Sequence, residues 1–243
     1  MKKTALITGA SGGIGSEICR IFAENGFDII AQYNKNESEA ALLKKELEER
    51  FSVSFFPLCA DLSKGEEAVS LSERALAVSK NIDVLVNNAG VSLRGLFQLI
   101  DERDAKKLLS INLESAMTIT RKILPSMIVR KEGKIVNVSS MWGVTGGSCE
   151  VDYSASKAAL IGFTKALSKE VGPSGINVNC VAPGFIETKM NACFDEETKR
   201  EIAEEASLCK NGTPRDVAEL VFFLSSQKAN FITGQTISVD GGR

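Results

Sequence analysis

The sequence of 243 residues contains no histidine, which excludes the side chain that most often transfers protons near neutral pH. The same absence argues against a zinc site, and we expect no bound metal. The cysteines are scattered without a Cys-x-x-Cys spacing, so we expect free thiols in a reducing compartment, several of them buried. They are Cys19, Cys59, Cys149, Cys180, Cys193 and Cys209.

Long apolar runs and strong net charge are also absent. No stretch approaches the roughly 18 apolar residues needed to cross a bilayer. The short apolar run after Lys2-Lys3 ends at Gly9, too soon for a signal peptide. The net charge of -2 gives no electrostatic argument for binding nucleic acid or an anionic membrane, although a local basic patch is compatible with it. We therefore expect a cytoplasmic protein with neither of these partners.

What is present is an alternation of apolar β-type runs with amphipathic helical segments. The runs are apolar throughout, as is typical of parallel strands covered on both faces. This pattern predicts one α/β domain over residues 1–243, with a Rossmann-type, doubly wound parallel sheet of about seven strands. The predicted strands are Thr4–Thr8, Asp28–Gln32, Val53–Leu58, Val84–Val86, Lys134–Val138, Asn177–Val181 and Thr236–Val239. The predicted helices include Ala40–Arg50, Glu66–Ser79 and Lys157–Val171.

One stretch interrupts this alternation. From Gly184 to about Pro214 no strand is predicted, and Asp195–Ala206 has a helical, charged pattern. We expect residues 185–213 to form a lid over a ligand cleft. An ordinary surface insertion is the alternative.

A glycine-rich turn follows the first strand and begins the first helix. Its sequence, from Thr8 to Gly15, is Thr-Gly-Ala-Ser-Gly-Gly-Ile-Gly. Glycines at such a turn allow a pyrophosphate to approach the backbone, and the N-terminus of the helix presents free N–H groups. The turn predicts a dinucleotide site, and a tight turn without a ligand is the alternative.

The residues after the second strand bear on which dinucleotide binds. An acidic residue there pairs with a ribose 2′-hydroxyl, whereas a basic residue accommodates a 2′-phosphate. The segment Gln32-Tyr33-Asn34-Lys35-Asn36 has no carboxylate and offers Lys35. It therefore favours NADPH, with NADH as the alternative.

Two later strands also end in polar segments at the same edge of the predicted sheet. Asp61 and Leu62 follow the third strand, and Asp61 can bind the adenine amino group or cap the next helix. Asn87, Asn88, Ala89 and Gly90 follow the fourth. The side-chain amides of Asn87 and Asn88 are expected to tie adjacent loops together.

Tyr153 and Lys157 are spaced by four residues, which places them on one face of a helix. A nearby cation favours the phenolate and lowers the tyrosine pKa from its reference of ~10. This spacing makes Tyr153 a candidate acid. A surface tyrosine beside a solvated lysine is the alternative.

Taken in order, these motifs resemble the short-chain dehydrogenase/reductase family over essentially the whole chain, and most closely the bacterial 3-oxoacyl-[acyl-carrier-protein] reductases of fatty acid biosynthesis. The motifs are the glycine turn, Asn87-Asn88-Ala89-Gly90, Asn112, Ser140, Tyr153-x-x-x-Lys157, Pro183-Gly184 and the closing segments Ile232–Gln235 and Val239–Gly242.

The resemblance implies a role for each matching residue. Tyr153 would donate a proton to a substrate carbonyl as hydride arrives from the nicotinamide, and Ser140 would bind the same oxygen. Lys157 would tune Tyr153 and hold the ribose, and Asn112 would hold a water linking Lys157 to solvent. The implied cofactor contacts are Gly9, Ser11, Gly12, Gly13, Ile14, Gly15, Asn34, Lys35, Asp61, Leu62, Asn88, Ala89, Gly90, Tyr153, Lys157, Pro183, Gly184, Ile186 and Thr188. The resemblance also implies a homotetramer.

Two departures from the family pattern concern the cofactor and the partner. Gly12 stands where NADPH-dependent relatives often carry an arginine. Lys131 keeps one of the basic docking positions that the carrier-protein reductases present near the mouth of the active site, but Ser174 replaces a second one. These departures put strict NADPH preference and docking of acyl carrier protein in doubt.

The segment between Ser140 and Tyr153 holds the only tryptophan, Trp142, together with Glu150. It resembles a branch that reduces a 5-aminopentanone group on elongation factor P. A carboxylate and an aromatic face both attract ammonium groups, so Trp142 and Glu150 are candidate contacts for an amine-bearing substrate. The alternatives are a core tryptophan and a glutamate at the surface or in an interface. A dinucleotide-sensing protein without activity is a third interpretation, against which the intact Ser140, Tyr153 and Lys157 argue.

Overall fold

The computed structural model describes residues 2–243 and contains one sheet of seven strands, in which every strand pair is parallel. The strand order is β3-β2-β1-β4-β5-β6-β7. All seven predicted strands are confirmed, with ends displaced by at most two residues. The strands are β1 Thr4–Ile7, β2 Asp28–Tyr33, β3 Phe55–Cys59, β4 Val84–Asn87, β5 Gly133–Val138, β6 Ile176–Pro183 and β7 Thr236–Val239.

Helices cover both faces of the sheet. They are α1 Gly13–Glu24, α2 Glu37–Arg50, α3 Gly65–Val78, α4 Glu102–Leu109, α5 Ser115–Arg130, α6 Met141–Thr145, α7 Val151–Val171, α8 Glu196–Glu204 and α9 Pro214–Ser225. One apolar core holds α1, α2 and α9 against the sheet, and a second holds α3, α5 and α7. The predicted doubly wound architecture is confirmed.

The uniformly apolar strands are explained by these two cores. Along β1, Ala5 and Ile7 pack into the first core while Leu6 packs into the second. Side chains of successive strand residues point to opposite faces, so both sets are buried. An alternating polar pattern would have left one face of the sheet in water.

The strand order reverses between β1 and β4, and this position determines where a ligand can enter. In open parallel sheets the crevice outside the carboxyl ends of the strands, at such a reversal, is the usual binding site. The glycine turn after β1 and the loop after β4 both lie there.

The segment from 185 to 213 leaves and rejoins the domain at neighbouring points, because Ile186 and Gly212 form an isolated β-bridge. It contains a 3-10 turn at Lys189–Asn191 and α8, which is shorter than the predicted helix Asp195–Ala206. The helix that carries the candidate acid differs more from its prediction. This helix, α7, begins at Val151, six residues before the predicted start at Lys157. Tyr153 is therefore helical, as its spacing to Lys157 required.

The cysteines are free, but only Cys19 and Cys180 are buried; the other four are exposed. The expectation of several buried thiols is thus met by two. Among residues 2–243, no helix is both long and apolar enough to span a membrane.

Candidate active site

A cleft of about 600 Å³ opens at the carboxyl edge of the sheet and brings the candidate residues together. The predicted residues that line it are Gly9, Ser11, Gly12, Gly13, Ile14, Gly15, Asn34, Leu62, Asn88, Ala89, Gly90, Ser140, Trp142, Glu150, Tyr153, Lys157, Pro183, Gly184, Ile186 and Thr188. Three predicted residues, Lys35, Asp61 and Asn112, are not part of its lining.

The glycine turn at the start of α1 is shaped for close approach to the backbone. Gly9 has φ +66°, and a Cβ there would lie 2.9 Å from the Cα of Ala89. A Cβ on Gly15 would lie 2.1 Å from the Gly9 carbonyl oxygen. The N-cap residue of α1 is Gly12, so no side chain caps the first N–H groups of the helix, and Gly13, Ile14 and Gly15 line the cleft. This uncapped, glycine-walled cradle fits the pyrophosphate of a dinucleotide.

Buried polar groups hold the turn in place. The Asn88 amide donates to the Thr8 carbonyl over 2.9 Å, and the Thr8 hydroxyl accepts from the N–H groups of Asn88 and Ala89, each at 3.0 Å. Gln32 contributes from β2 by accepting the Gly9 N–H at 2.8 Å. The predicted scaffold role of Asn88 therefore fits its contacts.

The end of β2 differs from the expectation about the basic residue. Lys35 is exposed and lies outside the cleft lining, whereas Asn34, Asn36 and Glu39 lie within it. Glu39 forms an ion pair with Lys189 of the 185–213 segment. The cleft wall that a cofactor ribose would meet thus offers the amides of Asn34 and Asn36 and the Glu39–Lys189 ion pair, and it does not include Lys35.

Asp61 holds the turn between β3 and α3, and it does not cap the helix, because α3 begins at Gly65 and its N-cap residue, Lys64, receives no side-chain cap hydrogen bond. Its carboxylate accepts from the Ser63 backbone N–H at 3.1 Å and from the Ser63 hydroxyl at 2.8 Å. These two bonds hold the Asp61 pKa below its ordinary value. The adjacent Leu62 lines the cleft in its place.

Tyr153 is partly buried beside Ser140, and its pKa lies above the ordinary value. Burial is the main cause, and the Ser140 hydroxyl and the Arg94 charge oppose it while the Glu150 charge adds to it. The direction is opposite to the one predicted from the Lys157 spacing. The physical reason is that desolvation disfavours the phenolate, and the Lys157 ammonium, 5.8 Å from the centroid of the Tyr153 ring, does not outweigh it.

Lys157 is almost completely buried, with 3% of its surface exposed. Its ammonium donates to the Val138 carbonyl over 2.9 Å and lies 5.8 Å from the centroid of the Tyr153 ring. Burial lowers the Lys157 pKa to about 8. The surface-lysine alternative is excluded.

Asn112 lies in a π-helical turn, Ser110–Glu114, between α4 and α5. Its amide accepts from the Val91 N–H at 2.8 Å and donates to the Val91 carbonyl at 2.9 Å and the Ser156 hydroxyl at 3.1 Å. π-turns of this kind often occur at functional sites. Here the turn braces the loop after Gly90 against the helix that carries Lys157.

Trp142 and Glu150 both line the cleft, where the tryptophan is partly exposed and the glutamate is buried, so the contacts fit neither a core tryptophan nor a surface glutamate. Glu150 is not free, however. Its carboxylate forms an ion pair with Arg94 at 3.3 Å. The predicted attraction for a substrate ammonium is weakened because the charge already has a partner.

Lys131 and Ser174 do not flank this cleft. Lys131 follows α5 and precedes β5, and Ser174 precedes β6, so both lie at the amino edge of the sheet. The cleft is at the opposite, carboxyl edge. The expectation of a docking residue near the mouth is therefore wrong for the chain's own cleft.

Several lining residues were missed from the sequence, among them Arg94, Glu39, Lys189 and Phe194. Arg94 could have been found, because it is the basic residue in the loop directly after β4, at the edge where ligands bind. The others come from α2 and the 185–213 segment. Their approach to the cleft depends on tertiary packing that no local pattern encodes.

Comparison with known proteins is consistent with this geometry. The family model described as short chain dehydrogenase matches residues 3–199. An uncharacterized oxidoreductase of Bacillus subtilis, YmfI, is 44% identical over 242 residues, covering 100% of this chain and 99% of that protein. The 3-oxoacyl-[acyl-carrier-protein] reductase FabG of Chlamydia trachomatis is 38% identical, covering 100% of this chain and 97% of its own.

Among solved structures, a blue fluorescent protein from a metagenomic library, in complex with NADPH, superimposes with a TM-score of 0.92. It is 33% identical, and the match covers 99% of this chain and 97% of that one. YwfH, an NADPH-dependent reductase of bacilysin biosynthesis, has the same TM-score of 0.92 at 26% identity and covers 100% and 98%.

Proposed function

Because the chain belongs to the short-chain dehydrogenase/reductase family, an NAD(P)H-dependent class of oxidoreductases acting on CH–OH and C=O groups, we propose that it reduces a 3-oxoacyl thioester with NADPH. The observation that supports this most is one shared cleft. Ser140, Tyr153 and Lys157 line it together with the glycine turn of α1. The FabG relatives, at 36–38% identity, favour a 3-oxoacyl substrate.

The chain's own residues supply the proton. With its pKa raised by burial, the Tyr153 phenol is protonated at neutral pH and donates to the carbonyl oxygen of the substrate. The Ser140 hydroxyl is the second donor to that oxygen, where negative charge develops. The nicotinamide, when bound, supplies the hydride. Lys157 holds positive charge beside the phenolate that forms.

The cofactor we propose is NADPH. Two structural neighbours are an NADPH complex and an NADPH-dependent reductase. In this chain the N-terminus of α1 would hold the pyrophosphate, and the amides of Asn34 and Asn36 can donate to a 2′-phosphate. Gly12 leaves room at this end of the cleft, since a Cβ there would meet only the Gly9 carbonyl oxygen, at 3.3 Å.

We also infer that residues 185–213 act as a lid and that the protein is a homotetramer. The segment contributes Phe185, Thr188 and Phe194 to the cleft wall. Exposed apolar side chains on α7, α9 and beside β7, namely Val151, Phe223 and Phe231, suit burial between copies. Light scattering coupled to size-exclusion chromatography tests the assembly, and a monomeric mass would refute it.

A second candidate is reduction of an amine-bearing ketone, such as a 5-aminopentanone group on elongation factor P. Trp142 and Glu150 favour it because both line the cleft that contains Tyr153. A carboxylate together with an aromatic face is a suitable site for an ammonium group. The Arg94 ion pair counts against it, since the ammonium would have to compete for Glu150.

One experiment separates the candidates. NADPH oxidation is followed with an acetoacetyl thioester and with an aliphatic aminoketone, at matched concentrations. The proposal expects kcat/KM for the thioester to exceed that for the aminoketone by at least about tenfold, a difference of about 1.4 kcal/mol in transition-state binding. A preference for the aminoketone would transfer the assignment to the second candidate. Loss of both activities would refute ketone reduction of this type.

A further inference from the structure

Arg94 is the contact point between the lid and the helix that carries the proposed acid. It lies in the loop after β4, and its side chain is 35% exposed at the cleft. The guanidinium contacts four side chains: Glu150, Asn191, Cys193 and Phe194. No proton or hydride transfer proposed above uses it.

On the lid side, three contacts engage separate parts of the guanidinium. One Nη donates to Asn191 Oδ1 at 3.2 Å, and the other donates to Cys193 Sγ at 3.2 Å. The carbon of the guanidinium lies 4.5 Å from the centroid of the Phe194 ring. Phe194 in turn packs edge-on against Phe185, close to where the lid leaves β6. Arg94 thus contacts the lid at residues 191–194, starting from the last residue of the 3-10 turn Lys189–Asn191.

On the helix side, Nε donates to Glu150 Oε1 at 3.3 Å. Glu150 is the N-cap residue of α7, three positions before Tyr153, and its carbonyl accepts the Ser154 N–H at 2.8 Å. The loop itself is attached at the same place, because the Gly95 N–H donates to the Cys149 carbonyl at 2.8 Å. A shift of Arg94 would therefore displace the first turn of α7.

We propose that Arg94 is a positioning residue that couples closure of the lid to the placement of Tyr153, through a guanidinium shared by Glu150 and the lid residues Asn191, Cys193 and Phe194. This inference rests on the proposed reductase function of the same cleft. Arg94 belongs neither to the glycine turn nor to the proposed catalytic residues.

The chemistry of the group suits this task. A guanidinium is planar, always charged, and able to donate in several directions while stacking on a ring. Glu150, with only 11% of its side chain exposed, needs a cationic partner because a buried, unpaired carboxylate is strongly disfavoured. When the lid is displaced, Arg94 loses three of its four contacts but keeps Glu150. The position of Glu150 and the position of the lid are therefore linked through one side chain.

The test compares Arg94→Gln, Arg94→Lys, Glu150→Gln and the double variant Arg94→Gln/Glu150→Gln with the wild-type protein. Arg103→Gln is the matched control, since Arg103 is 91% exposed and pairs only with Asp101. The readout that needs no substrate is the rate of deuterium labelling of backbone amides in the lid peptide that contains Cys193, followed by mass spectrometry. The peptide that contains Cys59, on β3, serves as the internal reference, and the two rates are called Cys193 labelling and Cys59 labelling.

We expect Arg94→Gln to raise Cys193 labelling at least about fivefold relative to Cys59. Glu150→Gln is expected to raise it by a smaller factor, although Glu150 does not contact the lid, and Arg94→Lys should fall between wild type and Arg94→Gln. Arg103→Gln should match wild type. Unchanged labelling in both Arg94→Gln and Glu150→Gln would overturn the coupling, whatever the enzyme reduces.

Kinetics give the second readout. Arg94→Gln is expected to raise KM for the ketone at least about tenfold and to lower kcat. The charges facing Tyr153 are those of Arg94, Glu150 and Lys157, and losing the first raises the Tyr153 pKa. Because the phenol must be protonated to donate, the alkaline limb of kcat/KM then moves to higher pH. Glu150→Gln is expected to move this alkaline limb to lower pH, and the double variant should return it toward its wild-type position.

The two failures are distinguishable. If wild-type protein reduces neither ketone, the proposed function fails while Cys193 labelling still tests the coupling. If the wild type is active but Arg94→Gln shifts neither labelling nor the alkaline limb, the coupling fails alone. Should Arg94→Gln not fold, Arg94→Lys decides in its place: wild-type labelling and a wild-type pH profile would overturn the proposal.

Discussion

Replacing Lys157 by methionine should stabilise the protein at neutral pH while it abolishes turnover. The ammonium is buried, with 3% exposure, and its pKa falls from 10.5 to about 8. Keeping it charged near pH 7 therefore costs roughly 3 kcal/mol of folding free energy. Methionine has a similar length and no charge. It loses the bond to the Val138 carbonyl, which offsets about 1 kcal/mol of the gain.

The pH dependence gives this prediction its sign. A group whose pKa is lower in the folded state destabilises the fold below its folded pKa, and the penalty disappears as pH rises toward its unfolded pKa. For Lys157 that window runs from about 8 to 10.5. The wild type should gain about 2 kcal/mol between about pH 7.5 and about pH 9.5 relative to Lys157→Met. The advantage of the variant, about 1–2 kcal/mol at the lower pH, should then vanish or reverse.

The assay is urea unfolding of both proteins at one protein concentration, followed by far-UV circular dichroism at several pH values. Titrating groups that do not interact with Lys157, such as the buried thiol of Cys19, contribute nearly equally to both proteins and largely cancel in the difference. Lys157→Arg is the control, because it retains the charge and should not stabilise. A Lys157→Met variant that is less stable at every pH, with no change in the difference, would refute the buried-charge reasoning.

Three further predictions use the same cleft. Tyr153→Phe should bind NADPH, measured by fluorescence titration, with an unchanged Kd, and lose kcat by a factor of about 10² or more; retained turnover would exclude Tyr153 as the acid. Lys35→Ala should change the ratio of kcat/KM for NADPH and NADH by less than about threefold, because Lys35 lies outside the cleft lining; a tenfold loss of NADPH preference would show that its side chain reaches the cofactor. Glu150→Gln should lower kcat/KM for an aminoketone at least about tenfold more than for an acetoacetyl thioester if the amine-bearing substrate is correct, and equal effects would reject that candidate.

The fold was accessible from the sequence because its signals are local. Each strand is a short apolar run, and the glycine turn follows the first of them, so order and type could be predicted. The helix carrying Tyr153 was predicted six residues too short. Its first turn, Val151-Asp152-Tyr153-Ser154, does not continue the apolar repeat of the later turns. Its start is determined by contacts of Glu150 and Gly147 that belong to the folded state.

The site was accessible in part. The residues of the glycine turn and the Ser140, Tyr153 and Lys157 set were found from motif spacing, and the structure brings them to one cleft. Lys35 and Asp61 were placed in the site by their position after a strand, but position does not determine where a side chain points. Asp61 turns to Ser63, and Lys35 to solvent. Glu150 was identified without its partner, because Arg94 lies 56 residues earlier in the chain.

The opposite pKa shifts of Tyr153 and Lys157 have one main cause, which is burial. Around Lys157 the packing is close: a Cβ on Gly90 would lie 3.1 Å from its ammonium, and one on Gly143 would lie 2.8 Å from its backbone. Burial disfavours the Tyr153 phenolate and the Lys157 ammonium alike. The resting phenol therefore keeps its proton. In the proposed reduction, the phenolate formed when Tyr153 donates lies near an ammonium that is still mostly charged at pH 7, and the two charges compensate each other. The tuning expected from the four-residue spacing would then act on the phenolate formed during turnover rather than on the resting phenol.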